Sequence, residues 1–250
     1  PRFVVRYTLN TLDRSIYQVA LLEEARSMKV KSLFERLKAS CADSWQRYIH
    51  HDFICQLGAG TLPKAAFRHY LSQDYVFLIH FSRAYALAAY KAENLDEIRQ
   101  AAETVTALAG NEMQLHIDYC REWGIDEVEL ENTPEASANL AYTRFVLECG
   151  QAGDLLDLHV ALSPCVIGYA EIGQWLGQEV SGTLDCHPYG KWIEMYAGEE
   201  YQAVAADTVA FLDRLDKRRG GDVRFDGLAQ NFKTATKLEI GFWQMGLDAA

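Results

Sequence analysis

The stretch that most constrains this chain runs from Pro63 to about Glu93, "PKAAFRHYLSQDYVFLIHFSRAYALAAYKAE". After Pro63 it contains neither proline nor glycine. In its middle the apolar residues spread over most sides of a helix and do not keep to one stripe. Such a helix is buried at the centre of a protein, and it needs other helices around it.

The rest of the sequence supplies them. Only five prolines occur in 250 residues, and helical patterns fill the space between them. Lys31 to His51 reads as one amphipathic helix with Leu33, Leu37, Cys41, Trp45 and Ile49 on its apolar face. "GAGTLP" stops it, and Thr61 and Pro63 suit the start of the next helix. Further helices are expected from about Leu95 to Ala109, from Glu112 to Trp123, and over "ASANLAYTRFVLECGQAG". Another runs from a cap at Asp154 to near Gly177. "KWIEMYAGEEYQAVAADTVAFLDRLDKR" and "LAQNFKTATKLEIGFWQMGLDA" complete the set, while "GIDEVELENTPEA" reads as a loop. Strand-like alternation is confined to Phe3 to Leu9. The expected fold class is therefore all-α, a helical bundle. Residues 28–250 make up that domain, and residues 1–27 stand apart as an N-terminal extension of unknown role.

Composition excludes several functions. The formal net charge of -11 lacks the footprint of a nucleic-acid binder and disfavours anionic membranes. No run of about 18 apolar residues marks a membrane span, and the first residues do not read as a signal peptide. The six cysteines form no CxxC pair. They read as reduced thiols in a cytoplasmic protein, most of them small buried hydrophobes.

Four constellations carry chemistry. In "LSPCVIGYAEIG", Pro164 removes a backbone N–H and crowds the carbonyl of Val160, so the helix is expected to break or kink there. Cys165 is then either a core cysteine beside a kink or a thiol aimed into a cavity, with Tyr169 one turn along. In "SQDYVFLIHF", Asp74 sits mid-helix on a buried element with Phe77 one turn on. A buried carboxylate costs several kcal/mol unless it is paired, with Arg68 or a tyrosine, or faces a wet cavity. In "TKLEIGFWQMG", Glu239 lies among aromatics, with Phe242 and Trp243 three and four residues later; the alternative is a solvated helix edge. In "EMQLH", Glu112 and His116 share a face at the spacing of a di-metal carboxylate site. No second such pair exists, although His159, His80 and Asp157 are available, and a helix-to-helix hydrogen bond is the simpler role. No metal or other cofactor is expected.

Taken in order, "GTLPKAAFRHYLSQDYVFLIHFSRA", "EMQLH", "AYTRFV", "LSPCVIGYAEIG", "HPYGKWIEMYAG" and "NFKTATKLEIGFW" resemble the TenA family, the thiaminase II enzymes of thiamin salvage. The resemblance covers about Met28 to Ala250. It implies a haem-oxygenase-like all-α fold, a homotetramer, and the branch with a catalytic cysteine. It places the nucleophile on Cys165 and the acid/base on Glu239. The substrate pocket falls on Asp74, Phe77, Tyr142, Tyr169 and Tyr196, with Phe77 where relatives often carry tyrosine. Trp243 is expected to sandwich the substrate ring with Phe77. The reaction implied is replacement by water of an amine, or of the thiazolium of thiamin, on the 5-methylene of a 4-amino-2-methylpyrimidine. Two rivals predict other behaviour. An oxidase of the same fold would bind iron or a chromophore, and a pyrimidine-binding regulatory protein would bind without turnover.

Overall fold

The computed structural model describes residues 31–249, so the expected extension and the alternation at Phe3 to Leu9 lie outside the described residues. In chain order the helices are α1 (Leu33–Ser40), α2 (Ala42–Ile49), α3 (Asp52–Gly58), α4 (Lys64–Lys91), α5 (Leu95–Ala107) and α6 (Met113–Glu122). They continue as α7 (Glu127–Glu131), α8 (Ser137–Ala152), α9 (Leu155–Glu179), α10 (Gly190–Ala197), α11 (Glu199–Arg219) and α12 (Gly221–Asp248). Among the described residues there is no strand.

Helices α4, α8, α9 and α12 pack on one another and enclose the core, as the all-round apolar character of α4 requires. Around them, α5 lies on α4, α2 on α12, and α10 and α11 on α9. Trp45, Trp192 and Trp243 are among the largest fully buried side chains.

The expected helix from Lys31 to His51 is divided at Cys41, which leaves helical geometry at φ -137°. The Ser40 hydroxyl donates to the Leu37 carbonyl at 2.6 Å, and the Cys41 thiol approaches the same oxygen at 3.7 Å. Short polar side chains compete for helical carbonyls in this way. Helices α5 and α6 are joined by a π-helical turn, Leu108–Glu112, where two separate helices were expected. The expected loop after Trp123 contains α7, capped by Asp126, whose Oδ1 accepts from the Glu129 N–H at 2.8 Å. Gly198 separates α10 from α11, and Gly220, at φ +64°, turns α11 into α12.

Helix α9 starts where Asp154 predicts. Asp154 accepts from the N–H groups of Leu156 and Asp157, and Asp157 accepts from that of Asp154, a reciprocal cap. Helical structure then runs through Pro164 without interruption. The reason is local. The Ser163 hydroxyl donates to the Val160 carbonyl at 2.9 Å and so satisfies the acceptor that proline leaves without a donor. Helix α9 is also long and apolar enough to cross a membrane by length and composition, which corrects the reading of the sequence. Its apolar window is 83% buried inside the protein, as expected of a central helix.

Candidate active site

The six cysteines are all free thiols, and Cys165 differs from the rest. Its neighbours Pro164 and Val166 are buried, yet Cys165 keeps accessible surface in the middle of the core helix. Its acidic and phenolic neighbours come from α4, α8, α10 and α12, and the space beside the thiol, where these helices meet α9, is the candidate chamber.

Helical spacing brings the expected residues to it. Asp74 and Phe77 come from α4, Tyr142 from α8, Cys165 and Tyr169 from α9, Tyr196 from α10 and Glu239 from α12. Glu239 is 1% exposed, so it is not a solvated helix edge. The Tyr142 hydroxyl donates to its Oε1 at 2.7 Å, and the Cys165 thiol lies within hydrogen-bonding reach. Burial pushes the Glu239 pKa up to about 8, with a further push from Asp74; Tyr142 and Cys165 act the other way. Burial also drives the Cys165 thiol well above its usual range, and the charges of Glu239 and Asp74 add to it. The resting pair at neutral pH is thus a thiol beside a mostly protonated carboxyl.

Among the described residues Asp74 hydrogen-bonds neither of its expected partners, Arg68 or a tyrosine. His116 Nδ1 stands 3.6 Å from Asp74 Oδ2, and His116 Nε2 bonds the Leu71 carbonyl at 3.0 Å. Arg68 instead reaches the Trp123 carbonyl and Glu129. Burial raises the Asp74 pKa to about 6, opposed by His116, so the carboxyl is largely ionised at pH 7. His116 thus makes the helix-to-helix hydrogen bond expected of it. Glu112 is exposed and lies only within electrostatic reach of Tyr85 and Tyr201. Among the described residues no group of three or more His, Cys, Asp or Glu is arranged to hold a metal ion.

The aromatic walls differ in part from expectation. Phe77 stacks on Tyr142 with centroids 5.4 Å apart, and Phe242 meets it edge-on at 5.8 Å. Trp243 is not opposite Phe77. It is 0% exposed and stacks on Phe53 at 5.2 Å, bracing Tyr169 from behind at 5.2 Å. Phe242 is the residue that meets Phe77, and both it and Trp243 are buried, at 2% and 0% exposed. Tyr169 and Tyr196 meet edge-on at 4.8 Å, and Tyr196 meets Tyr201 at 4.8 Å. The Tyr169 hydroxyl lies 3.5 Å from that of Tyr70, which accepts from the Trp192 indole N–H at 3.2 Å.

Sequence reasoning missed three residues around this chamber, Tyr48, Tyr70 and Tyr201, and gave His116 its helix-to-helix hydrogen bond but not its place beside Asp74. Tyr48 donates to the Pro164 carbonyl at 3.3 Å, one residue before the thiol. Its ring lies where a side chain on Gly168 would be, since a Cβ there would come within 2.2 Å of Tyr48 Cε1. The spacing of Tyr70 and Asp74, one turn apart on α4, was the available signal for Tyr70. Nothing local marks Tyr48 or Tyr201.

A thiol, two carboxyls and several phenols gathered inside an all-helical bundle make a candidate small-molecule site suited to acid–base and nucleophilic chemistry. Residues 38–249 match the TENA/THI-4/PQQC family, and the chain belongs to that family. It is 52% identical to a TenA family transcription regulator from Silicibacter sp. TM1040, whose crystal structure it matches at a TM-score of 0.80 over 88% of this chain and 99% of that one. It is 36% identical over 202 residues to an aminopyrimidine aminohydrolase from Halalkalibacterium halodurans, covering 80% of this chain and 89% of that protein. A Shewanella denitrificans domain with a heme oxygenase-like fold, 14% identical, aligns at a TM-score of 0.68 over 86% of this chain and 92% of its own, and shows the fold.

Proposed function

We propose that this protein is a hydrolase of 4-amino-2-methylpyrimidines that replaces the 5-methylene amine, or the thiazolium of thiamin, with water. The observation that carries this is the triplet Tyr142–Glu239–Cys165 buried in the core with Asp74 in electrostatic reach. The kinship with an aminopyrimidine aminohydrolase supports the same chemistry.

The residues divide the work. Ionised Asp74 is an acceptor only, and it pairs with the donor amine on the ring. Phe77 and Phe242, packed edge-on against each other, form one apolar wall against the ring. As the sulfur of Cys165 bonds the ring carbon beside the substituted one, protonated Glu239 gives its proton to a ring nitrogen and takes the proton of the thiol. No free thiolate is needed, which suits a thiol whose pKa is raised. Glu239 then passes the proton it took from the thiol to the amine, the ring electrons expel that amine from the methylene as ammonia, and the ring nitrogen gives its proton to the carboxylate so formed. Water adds to the methylene carbon and its spare proton goes back to the ring nitrogen. The carbon–sulfur bond breaks as the first step reverses, and hydroxymethylpyrimidine leaves. A placed acid/base group contributes about 10²–10⁴ to such a rate.

The functional unit in this reading is residues 28–250, acting as a cytoplasmic homotetramer. The test is incubation with 4-amino-5-aminomethyl-2-methylpyrimidine and, separately, with thiamin. Release of hydroxymethylpyrimidine from either, lost in Cys165→Ser, is expected. Binding with no release would support the regulatory rival instead.

A further inference from the structure

A second cavity, of about 200 Å³, lies between α4, α5, α9 and α11. Its floor is made by Tyr85, Ala88, Leu155, His159 and Phe211. The exposed Gln100 and Asp207 and the half-exposed Val204 form a mouth that opens to solvent. Pockets that hold drug-sized ligands run to roughly 300–1,000 Å³, so this one fits a single ring.

His159 is what makes it a site. The side chain is 7% exposed and faces the cavity. Its neighbours hold it by ring contacts, Tyr85 edge-on at 5.8 Å and Phe211 at 4.7 Å, and its ring nitrogens gain no hydrogen bond among the described residues. Burial lowers its pKa to about 4, so the imidazole is neutral at physiological pH and presents one donor and one acceptor. An imidazole that lines an open cavity with no protein hydrogen bond among the described residues is available to a ligand or to water. Glu97, also buried beside it, is already engaged by the Glu93 N–H at 3.0 Å and by Arg218. Asp207 at the mouth adds a negative charge free to meet a cation.

The cavity is also next to the chamber. Tyr85 forms part of its floor and lies within electrostatic reach of Cys165. A run of ring contacts joins the two spaces: Phe77 to Phe81 at 5.3 Å, Phe81 to Tyr85 at 5.2 Å, and Tyr85 to His159.

We propose that this cavity is a second, non-covalent binding site for one-ring amino-heterocycles, separated from the Cys165 chamber by Tyr85. A ring nitrogen and an adjacent amino group match the donor and acceptor of His159, the apolar floor covers the ring, and a protonated side arm points to Asp207. The inference rests on the proposed function for the choice of heterocycle.

The test uses the full chain carrying Cys165→Ser, so that nothing turns over, with 4-amino-5-aminomethyl-2-methylpyrimidine as the probe in titration calorimetry. Two sites per chain are expected. His159→Leu should weaken the outer one about tenfold, the scale of one lost buried hydrogen bond, and leave the inner one within about twofold. Thr208→Trp, which plugs the rim from a half-buried surface position, should remove the outer site and decides the matter if the first variant does not fold. A single site per chain, or a second site that neither variant affects, overturns the inference while leaving the hydrolase reading intact. No binding at all removes both.

Discussion

Tyr142 and Glu239 stand 97 positions apart in the chain, and their hydroxyl and carboxyl oxygens meet at 2.7 Å in the core. The bond ties α8 to α12 and fixes the rotation of the carboxyl that faces Cys165. It also opposes the effect of burial, which otherwise keeps the proton on Glu239.

Tyr142→Phe removes that donor. The proton of Glu239 should then be lost only above pH 8, because the hydroxyl was holding the pKa down. The pH profile of kcat/KM is expected to shift upward and its height to fall about tenfold or more. An unchanged profile would detach Tyr142 from the chemistry.

Glu239→Gln tests the charge itself. The folded-state pKa lies near 8 against an ordinary 4.5, so this group's contribution to stability is fully present below pH 4.5 and is lost as pH rises through 8. At about 1.4 kcal/mol per unit the swing is on the order of several kcal/mol. The amide has nothing to ionise. Urea midpoints should therefore show the variant gaining on wild type between pH 5 and pH 9 while turnover is lost. A gain in the opposite direction would contradict the burial argument.

Cys165 should be a slow thiol in the absence of substrate. Iodoacetamide at pH 7 is expected to label the exposed Cys186 and Cys55 first, as read by peptide mass spectrometry. Cys165→Ser should bind aminopyrimidine with little change and release no product. Rapid labelling at Cys165 would mean a thiolate already present at rest.

Ser163→Ala takes away the hydroxyl that serves the Val160 carbonyl. A buried acceptor left without a donor costs about 1–3 kcal/mol, and denaturant unfolding should show a loss of that size. No loss would mean that the carbonyl finds another partner beside Pro164.

Asp74→Asn replaces an acceptor-only group by one that presents donors as well. KM for the aminopyrimidine should rise more than kcat falls. In wild type the affinity should weaken as pH drops through about 6, where Asp74 takes up a proton. Steady-state kinetics at pH 5 and pH 7.5 separate the two, and equal affinity at both would remove Asp74 from ring recognition.

Much of this was legible in the chain because each feature sits in a short window. The all-round apolar α4, the Asp154 cap and the carboxyls at Asp74 and Glu239 are local patterns. What was not legible depends on partners distant in sequence. Ser163 rescuing the helix at Pro164 is local but subtle, since it needs one hydroxyl rotamer. His116 beside Asp74 and Tyr48 over Gly168 follow from helix packing, which no spacing encodes. That Phe242 and not Trp243 meets Phe77 has the same origin. Residues three and four places after Glu239 both lie near its face, and only the crossing of α12 with α4 and α3 decides which one touches Phe77.

Gly173 on α9 touches the backbone of Tyr196, and a Cβ there would lie 2.4 Å from the Tyr196 carbonyl carbon. One chamber phenol is therefore located by main chain pressed on main chain, with no rotamer to adjust. Enlarging the chamber for bulkier substrates on that flank would require moving a whole helix. The side where only side chains stand, at Phe77 and Phe242, is where selection or engineering has room to change what is accepted.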